Sequence, residues 1–457
     1  MTEIANLAGV VSGVSRDLRR TLKHPLASEA GLLAAAQYGS AVIGLLTTVV
    51  AARLLGPDAY GATSMITAYP NFLWSFVAIK SVSISTRYIS SFAATGRYDN
   101  VKGICKLGYM LDFTIAAGNF LLVCASADWI ARDFFHLPGH AWLMIVYAGS
   151  LLFSSLAGTS RAILTSRRRF RHLAAVYLCN EVLSFAFVVA LLFAGFGVAG
   201  MVLGAAVGQA SLGLIMAAVA TDALRRDGMG LWWTGALGSV APLRQELLGM
   251  FGWNYLTTTL RGVMAQFPLM LIGALRGPQE AGFYRIALSF MTVGSYLETS
   301  LGQVVYPLFA ASWGRGEKEN PRTLKKWTLR GGLPTGALVL AAIPLVPFVV
   351  PPIFGAAYLP MTPGIQILMI GAAVGTVFFW LNSFYYAFGR ISAWTKAYGV
   401  NTLIVIGLAW FFIQQWGFLG LTLLMALGKI GFTISMAAGA RHASESDHRA
   451  DLRVRQS

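Results

Sequence analysis

The sequence predicts an all-α polytopic membrane protein: twelve transmembrane helices in two six-helix lobes, with both termini cytoplasmic. Three observations lead there. Of the 457 residues, 56% are hydrophobic and only 12% are charged, whereas a soluble domain carries about a quarter charged residues. The chain also divides into apolar runs of the roughly 20 residues that a helix needs to cross the hydrocarbon core. Finally, the sequence repeats itself. Gly56-Pro57 with Gly61 reappears as Gly277-Pro278 with Gly282, 221 residues later. Phe92-Ala93-Ala94-Thr95-Gly96-Arg97 returns at a slightly shorter offset as Phe309-Ala310-Ala311-Ser312-Trp313-Gly314-Arg315. Asn180 falls on Asn401, and Gly197, Gly200 and Gly208 fall on Gly417, Gly420 and Gly428. A repeat this long in a chain this apolar points to a two-lobed transporter with its site where the lobes meet. Six helices per copy give both copies the same orientation, so the pseudo-axis runs along the membrane normal.

The first lobe takes its six spans from 33–53, 62–85, 106–127, 141–161, 173–194 and 198–220. The second takes 247–275, 281–311, 331–351, 364–388, 395–414 and 417–440. The domain plan is then a cytoplasmic amphipathic or disordered N-terminus (1–30), an N-lobe (31–222), a cytoplasmic linker (223–246), a C-lobe (247–441) and a cytoplasmic tail (442–457). In the N-terminus, Ile4, Leu7, Val11, Val14, Leu18 and Leu22 recur at helical spacing beside Arg16, Arg19, Arg20 and Lys23, a pattern suited to the inner membrane surface.

The net charge of +16 is mostly a topology signal rather than a sign of nucleic-acid binding. Arg87, Arg97, Lys102 and Lys106 lie between helices 2 and 3, and Arg161, Arg167, Arg168, Arg169 and Arg171 between helices 4 and 5. Arg315, Lys318, Arg322, Lys325, Lys326 and Arg330 lie between helices 8 and 9, while the opposite connections hold only Arg53, Arg132 and Arg276. By the positive-inside rule, the basic connections and both termini face the cytoplasm.

Charges inside spans are costly and commonly face a cavity or a partner. The basic ones are Lys80, Arg261, Arg285 and Lys429, with Arg261 and Lys429 near mid-helix; the acids are Asp112, Glu181 and Glu298. The four cations are candidate anion ligands. The three acids are candidates for binding a coupling proton or sodium ion, or for pairing with a cation. Polar stripes accompany them: Gln37, Ser40, Gly44 and Thr47 on helix 1; Ser64, Thr67, Asn71 and Ser75 on helix 2; Asn254, Thr258 and Arg261 on helix 7; Arg285, Ser289, Thr292, Ser295 and Thr299 on helix 8. Such stripes either line a cavity or join helices by hydrogen bonds. The matching pairs favour a shared cavity lined by Gln37, Ser40, Asn71, Asn254 and Thr258. The repeat is also broken informatively: Ser40, Ser64 and Gln209 correspond to Arg261, Arg285 and Lys429, which tilts the expected anion site toward the C-lobe.

Other features carry less. Gly200, Gly204 and Gly208 form a track for close helix packing. Phe378-Phe379-Trp380 and Phe384-Tyr385-Tyr386 on helix 10 are expected mainly at lipid-facing or interfacial positions. Cys105, Cys124 and Cys179 are scattered packing residues. Pro138-Gly139 breaks the helix that would align His136 and His140 on a metal. There is no P-loop pattern, no catalytic constellation and no motif calling for a cofactor, so the chain is not read as an enzyme.

At Ala51-Ala52-Arg53-Leu54-Leu55-Gly56-Pro57-Asp58-Ala59-Tyr60-Gly61 the chain resembles bacterial polysaccharide-biosynthesis transporters. These are the Wzx-type oligosaccharide flippases of the multidrug/oligosaccharidyl-lipid/polysaccharide (MOP) superfamily. Ser85-Thr86-Arg87-Tyr88-Ile89-Ser90 and Ala93-Ala94-Thr95-Gly96-Arg97 are similar to that family's helix 2 end and first inner loop. The resemblance covers about residues 30–440. It implies a V-shaped, cation-lined chamber in the cytoplasmic membrane that opens alternately to either side. The implied substrate is a polyprenyl-pyrophosphate-linked oligosaccharide for exopolysaccharide, capsule or O-antigen assembly, with a polymerase among the partners. The alternatives are a multidrug cation antiporter of the same superfamily and a peptidoglycan-precursor flippase, whose branch resembles a fourteen-helix plan. A membrane glycosyltransferase is more distant.

Overall fold

The computed structural model describes residues 25–77, 81–238, 252–314 and 321–456. Lys80 and most of the N-terminal stretch (1–24) lie outside them. Helices dominate the described residues, and no strand occurs among them. The N-lobe comprises α1 (25–55), α2 (57–77, continued by Ser81–Ala94), α3 (Tyr98–Trp129), α4 (Ala141–Ser154 and Leu156–Ser166), α5 (Phe170–Phe193) and α6 (Gly197–Arg226). The C-lobe comprises α7 (Trp253–Arg276), α8 (Pro278–Gly314), α9 (Pro321–Trp327, Leu333–Ala342 and Val346–Phe354), α10 (Thr362–Val377 and Leu381–Ala387), α11 (391–416) and α12 (418–456).

Length and composition alone mark nine candidate membrane segments among the described residues, two of which are long enough to hold two spans each. Gly31–Phe76 folds back at Gly56, and Ile391–His442 folds back at Gly417. The twelfth span, α8, is not among the nine. Its polar stripe lowers its hydropathy and, as shown below, faces a cavity. The chain is a multi-pass membrane protein with the predicted two-by-six plan.

The repeat is visible in the backbone. Gly56 and its mate Gly277 share one left-handed, extended conformation (φ 74°, ψ 172° and φ 90°, ψ 177°). Gly197 and Gly417 likewise have φ of 52° and 55°. A side chain is disfavoured there, so each sharp helix-to-helix turn calls for glycine.

The apolar core explains the shape. One cluster takes Ala51, Tyr60, Met65 and Tyr147 from the N-lobe together with Leu269, Ala281, Tyr284 and Tyr358 from the C-lobe. It lies toward the end bearing the α1–α2 and α7–α8 turns, hereafter the turn end. Toward the opposite, arginine-rich end the core divides. One part is wholly N-lobe (Tyr88, Ile104, Ile163, Leu224) and the other wholly C-lobe (Val305, Phe309, Trp380, Phe432). The apolar core is thus shared at the turn end and divided toward the basic end.

Close approach at the turn end is reciprocal. A Cβ on Gly61 would sit 1.7 Å from the Pro278 carbonyl oxygen, and one on Gly282 would sit 2.3 Å from that of Pro57. The repeated motif of one lobe therefore seats on the repeated motif of the other. The Tyr358 hydroxyl donates to the Ala52 carbonyl at 3.0 Å, and Arg53 donates to the Pro352 carbonyl. Farther along, the lobes touch through Ser75 against Gly262, Tyr255 donating to the Phe76 carbonyl, and the Tyr38–Ser300 hydroxyl pair.

One sequence expectation is corrected here. The helix 10 aromatics do not mainly face lipid: Trp380, Phe379, Phe384 and Tyr385 are buried. The break between Val377 and Leu381 turns them into the lobe, where the Trp380 indole donates to Thr328 at 3.0 Å and Tyr385 donates to the Met436 carbonyl at 3.0 Å. The linker at 223–246 begins in a docked state. Trp232 stacks on Tyr109 with centroids 4.3 Å apart, and Lys106 donates to the Gly235 carbonyl at 3.2 Å. Residues 239–251 lie outside the described residues. Gly204 and Gly208 do pack closely, against Val188 and Ser184 of α5.

At the basic end Asp227 joins α6 to the α4–α5 connection, accepting from Arg167 at 2.6 Å and from Arg169 at 2.8 Å. Burial raises its pKa, but hydrogen bonds and charge attraction from Arg167 and Arg169 outweigh that and hold the carboxyl below its ordinary 3.8. A depressed folded pKa gives stability that is present above the unfolded value and lost as pH falls through the folded one. Acidification below about pH 4 is therefore expected to lower the thermal midpoint of the purified protein. Asp227→Asn should remove that part of the acid sensitivity. An unchanged acid profile in the variant would dissociate this pair of bridges from stability.

Candidate functional site

A cavity of about 970 Å³ lies between the lobes where the single core divides in two. α1 and α2 supply Thr48, Tyr60, Thr63, Ser64, Thr67 and Asn71, while α4 adds Tyr147. This N-lobe wall is hydroxyl- and amide-rich and carries no charge. The opposite wall contains Arg261 from α7, Arg285 and Glu298 from α8, and Lys429 from α12. All four charged lining residues belong to the C-lobe, three of them cations.

The α8 stripe lies on the cavity as its spacing predicts: Arg285, Ser289, Thr292, Ser295 and Thr299 all line it, with Glu298 beside them. Helical periodicity puts positions three and four apart on one face, and here the whole stripe is used. On α2 the stripe contributes Ser64, Thr67 and Asn71; Ser75 instead packs on Gly262 at the lobe interface.

The α1 stripe turns elsewhere. Gln37 and Ser40 are not in the lining, and the cavity instead receives Thr48. The reason is the close approach of α1 to α5: Cβ atoms on Gly39 and Gly44 would each sit 3.1 Å from Leu178 and Glu181 respectively. Small residues drew this face into an interhelical contact. Thr258 is likewise outside the lining, because α7 meets α2 at Ser75–Gly262 and the cavity face of α7 begins at Arg261. The side chain of Asn254 is outside the described residues, as is Lys80.

The acids separate into three roles. Glu298 accepts from the Lys429 ammonium at 2.9 Å, both side chains about a quarter exposed. Gly375 of α10 makes room for the pair, since a Cβ there would come within 2.6 Å of Lys429 Cε. Asp112 is buried inside the N-lobe and accepts from Thr159 at 2.7 Å, away from the cavity. Glu181 faces α1 across Gly44, also outside the lining.

The two arginines differ. The Arg285 guanidinium lies beside Tyr60, and its charge also acts on Tyr147 and Tyr284. Arg261 is solvent-exposed in the cavity and acts on Tyr398 of α11. No ion pair neutralises either arginine among the described residues.

Sequence reasoning missed Tyr60, Tyr147, Tyr398 and Asn401 as lining residues. Asn401 had a usable signal, since its repeat mate Asn180 is polar too. Asn180 accepts from Ser211 at 2.8 Å inside the N-lobe, whereas Asn401 opens onto the cavity.

A family model described as "Polysaccharide biosynthesis protein" matches residues 50–363, well over half of the chain. The chain belongs to that family. No curated protein matches it. Several solved structures share the fold of this polysaccharide biosynthesis protein. An inward-facing multidrug resistance MATE transporter of the MOP superfamily is 15% identical, with TM-score 0.62, covering 91% of this chain and 94% of that one. An inward closed structure of the lipid II flippase MurJ is 13% identical, with TM-score 0.66, covering 90% and 87%. A MOP transporter from Pyrococcus furiosus Vc1 (DSM3638), described as having a binding pocket of reversed polarity, is 14% identical, with TM-score 0.60, covering 93% and 98%. At these identities the likeness is one of fold.

The Glu298–Lys429 pair gives a direct test of how cavity charge is set. Glu298→Gln frees the ammonium and is expected to tighten anion binding several-fold. Lys429→Met leaves an uncompensated carboxylate and should weaken it about tenfold, the scale of one charge-assisted contact. The double variant should recover most of that loss. Additive effects, read by titration with farnesyl diphosphate, would contradict the coupling.

Proposed function

We propose that the chain is a flippase that turns a polyprenyl-diphosphate-linked oligosaccharide from the inner to the outer leaflet of the bacterial cytoplasmic membrane. The product would supply exopolysaccharide, capsule or O-antigen assembly. Membership of the polysaccharide biosynthesis family supports the glycan. The observation that carries the rest is the cavity wall, with three cations against one carboxylate.

A diphosphate is strongly hydrated, and preorganised cations offset part of its loss of water. A guanidinium offers paired donors to phosphate or carboxylate oxygens, which suits Arg261. Asn71 and the N-lobe hydroxyls suit a sugar. With the basic end at the cytoplasm, as its arginines argue, the divided core faces inward and the fused core closes the outer side. The repeated Gly-Pro seats then form the outer closure, and alternating access requires them to part. Glu181 is the acid left for binding a coupling proton or sodium ion, because Glu298 is engaged by Lys429. A drug-cation antiporter fits less well, since an excess of fixed cations repels such substrates.

The test is reconstitution of the full chain in proteoliposomes containing a fluorescent polyprenyl-diphosphate oligosaccharide. Access of an external glycosidase reports translocation. Flipping well above that in protein-free vesicles is expected. Gradients of proton or sodium should change the rate, and Glu181→Gln should remove that dependence. No acceleration under any gradient, with movement of a cationic dye instead, would move the chain to the antiporter reading.

A further inference from the structure

We propose that Arg285, with the Tyr60 and Tyr147 hydroxyls, forms a carboxylate-binding subsite separate from the diphosphate station. The transported glycan accordingly carries an acidic sugar. This deepens the flippase reading above and rests on it.

The cavity holds Arg285 nearest the turn end and its other two cations farther toward the basic end. Arg285 and Glu298 are thirteen residues apart on α8, or ~20 Å along the axis at 1.5 Å per residue. Lys429 is fixed beside Glu298 by their 2.9 Å contact. Arg285 lies seven residues from the start of α8, or ~10 Å from the turn end. Arg261 lies fifteen residues from the end of α7, or ~22 Å from the same end. Arg285 also lies beside Tyr60 of the N-lobe, and both line the cavity. One diphosphate, a few ångströms across, does not serve both stations.

The surroundings of Arg285 specify the second ligand. Tyr60 and Tyr147 are buried, and Asn71 donates to the Tyr147 hydroxyl at 3.1 Å. The Tyr147 side chain also lines the cavity. The nearby Ser64 and Thr48 are neutral as well. No carboxylate lines this part of the cavity among the described residues. A guanidinium held inside a membrane without a counter-charge is expensive, and an arriving carboxylate would supply one through paired N–H donors. Hydroxyl donors at the sides would satisfy its remaining lone pairs.

A substrate drawn from the inner leaflet keeps its diphosphate near the basic end. Its glycan then extends toward the closed turn end. Arg285 thus reads a uronate-like carboxylate on the sugar chain, and Arg261 with Lys429 holds the diphosphate.

The experiment uses the purified full chain in nanodiscs and two synthetic probes. One is a farnesyl-diphosphate-linked disaccharide ending in glucuronate, the other its glucose counterpart. The wild type should bind the glucuronate probe at least tenfold tighter. Arg285→Gln should reduce the acidic probe close to the affinity of the neutral one and weaken the neutral probe far less, while Arg285→Lys should keep part of the preference. Arg261→Gln should weaken both probes alike. Equal wild-type binding of the two probes, or equal weakening of both by Arg285→Gln, overturns the subsite while leaving the flippase reading intact. Failure of the wild type to bind either probe overturns both.

Discussion

A Gly61→Val chain is expected to insert in the membrane at normal levels and to lose transport by two orders of magnitude or more. The reason is local and severe. Even a methyl group at Gly61 would lie 1.7 Å from the Pro278 carbonyl oxygen, 2.5 Å from its carbonyl carbon and 2.9 Å from the Gly282 nitrogen. These are backbone atoms at the base of a glycine-dependent turn, so no side chain can swing away to relieve the clash. Overpacking a formed core costs about 1–3 kcal/mol with relaxation, and a clash with backbone at this distance should exceed that. A shift of about 5.5 kcal/mol takes a two-state equilibrium from 1:99 to 99:1. The variant would therefore abandon the conformation in which the turn ends are seated. A transporter confined to one state cannot cycle. Gly282→Val should behave the same way, because the contact is reciprocal.

The measurement is labelling of a single cysteine at Thr67, which lines the cavity, after Cys105, Cys124 and Cys179 are replaced by serine. An impermeant maleimide should reach it from the turn side only in the glycine variants. Wild-type transport and unchanged labelling would mean that this seat is not the moving closure.

The parts of the architecture that could be read in advance are those encoded locally. Gly56 and Gly277 stand out because their backbone angles exclude most other residues. The α8 stripe stands out because helical spacing gathers five polar residues on one face of an apolar span. The α1 stripe has the same appearance and a different outcome. Polar and small residues serve helix-to-helix contact as readily as a cavity, and only the packing of Gly39 and Gly44 on α5 distinguishes the two uses. Tyr60 and Tyr147 went unnoticed because a tyrosine in an apolar helix carries no signal of where its hydroxyl points. The Glu298–Lys429 pair joins residues 131 positions apart, a separation that local pattern does not encode. Mid-helix placement marked Lys429 as unusual but did not reveal that its charge is already offset.

That offset makes Arg261 the cation whose removal should matter most. Lys429 is held by Glu298, and Arg285 lies beside Tyr60. Arg261 stands exposed on the cavity wall and has no carboxylate partner among the described residues. Arg261→Ala is therefore expected to abolish transport while leaving membrane expression and thermal stability near wild type. No buried partner is orphaned by the change, so the folding penalty that follows loss of a buried ion pair does not arise. Arg261→Lys should fall between, retaining a point charge but losing the planar pair of donors, with about a tenfold loss. Complementation of a flippase-deficient strain and the proteoliposome assay should agree on this order. Full complementation by Arg261→Ala would show that Arg261 does not hold the anion, and the site would then have to be sought at Lys429 and Arg285. If Arg261 does hold the anion, farnesyl diphosphate should protect the wild type from thermal unfolding and lose that effect in Arg261→Ala. That readout separates a binding defect from a failure of the lobes to move.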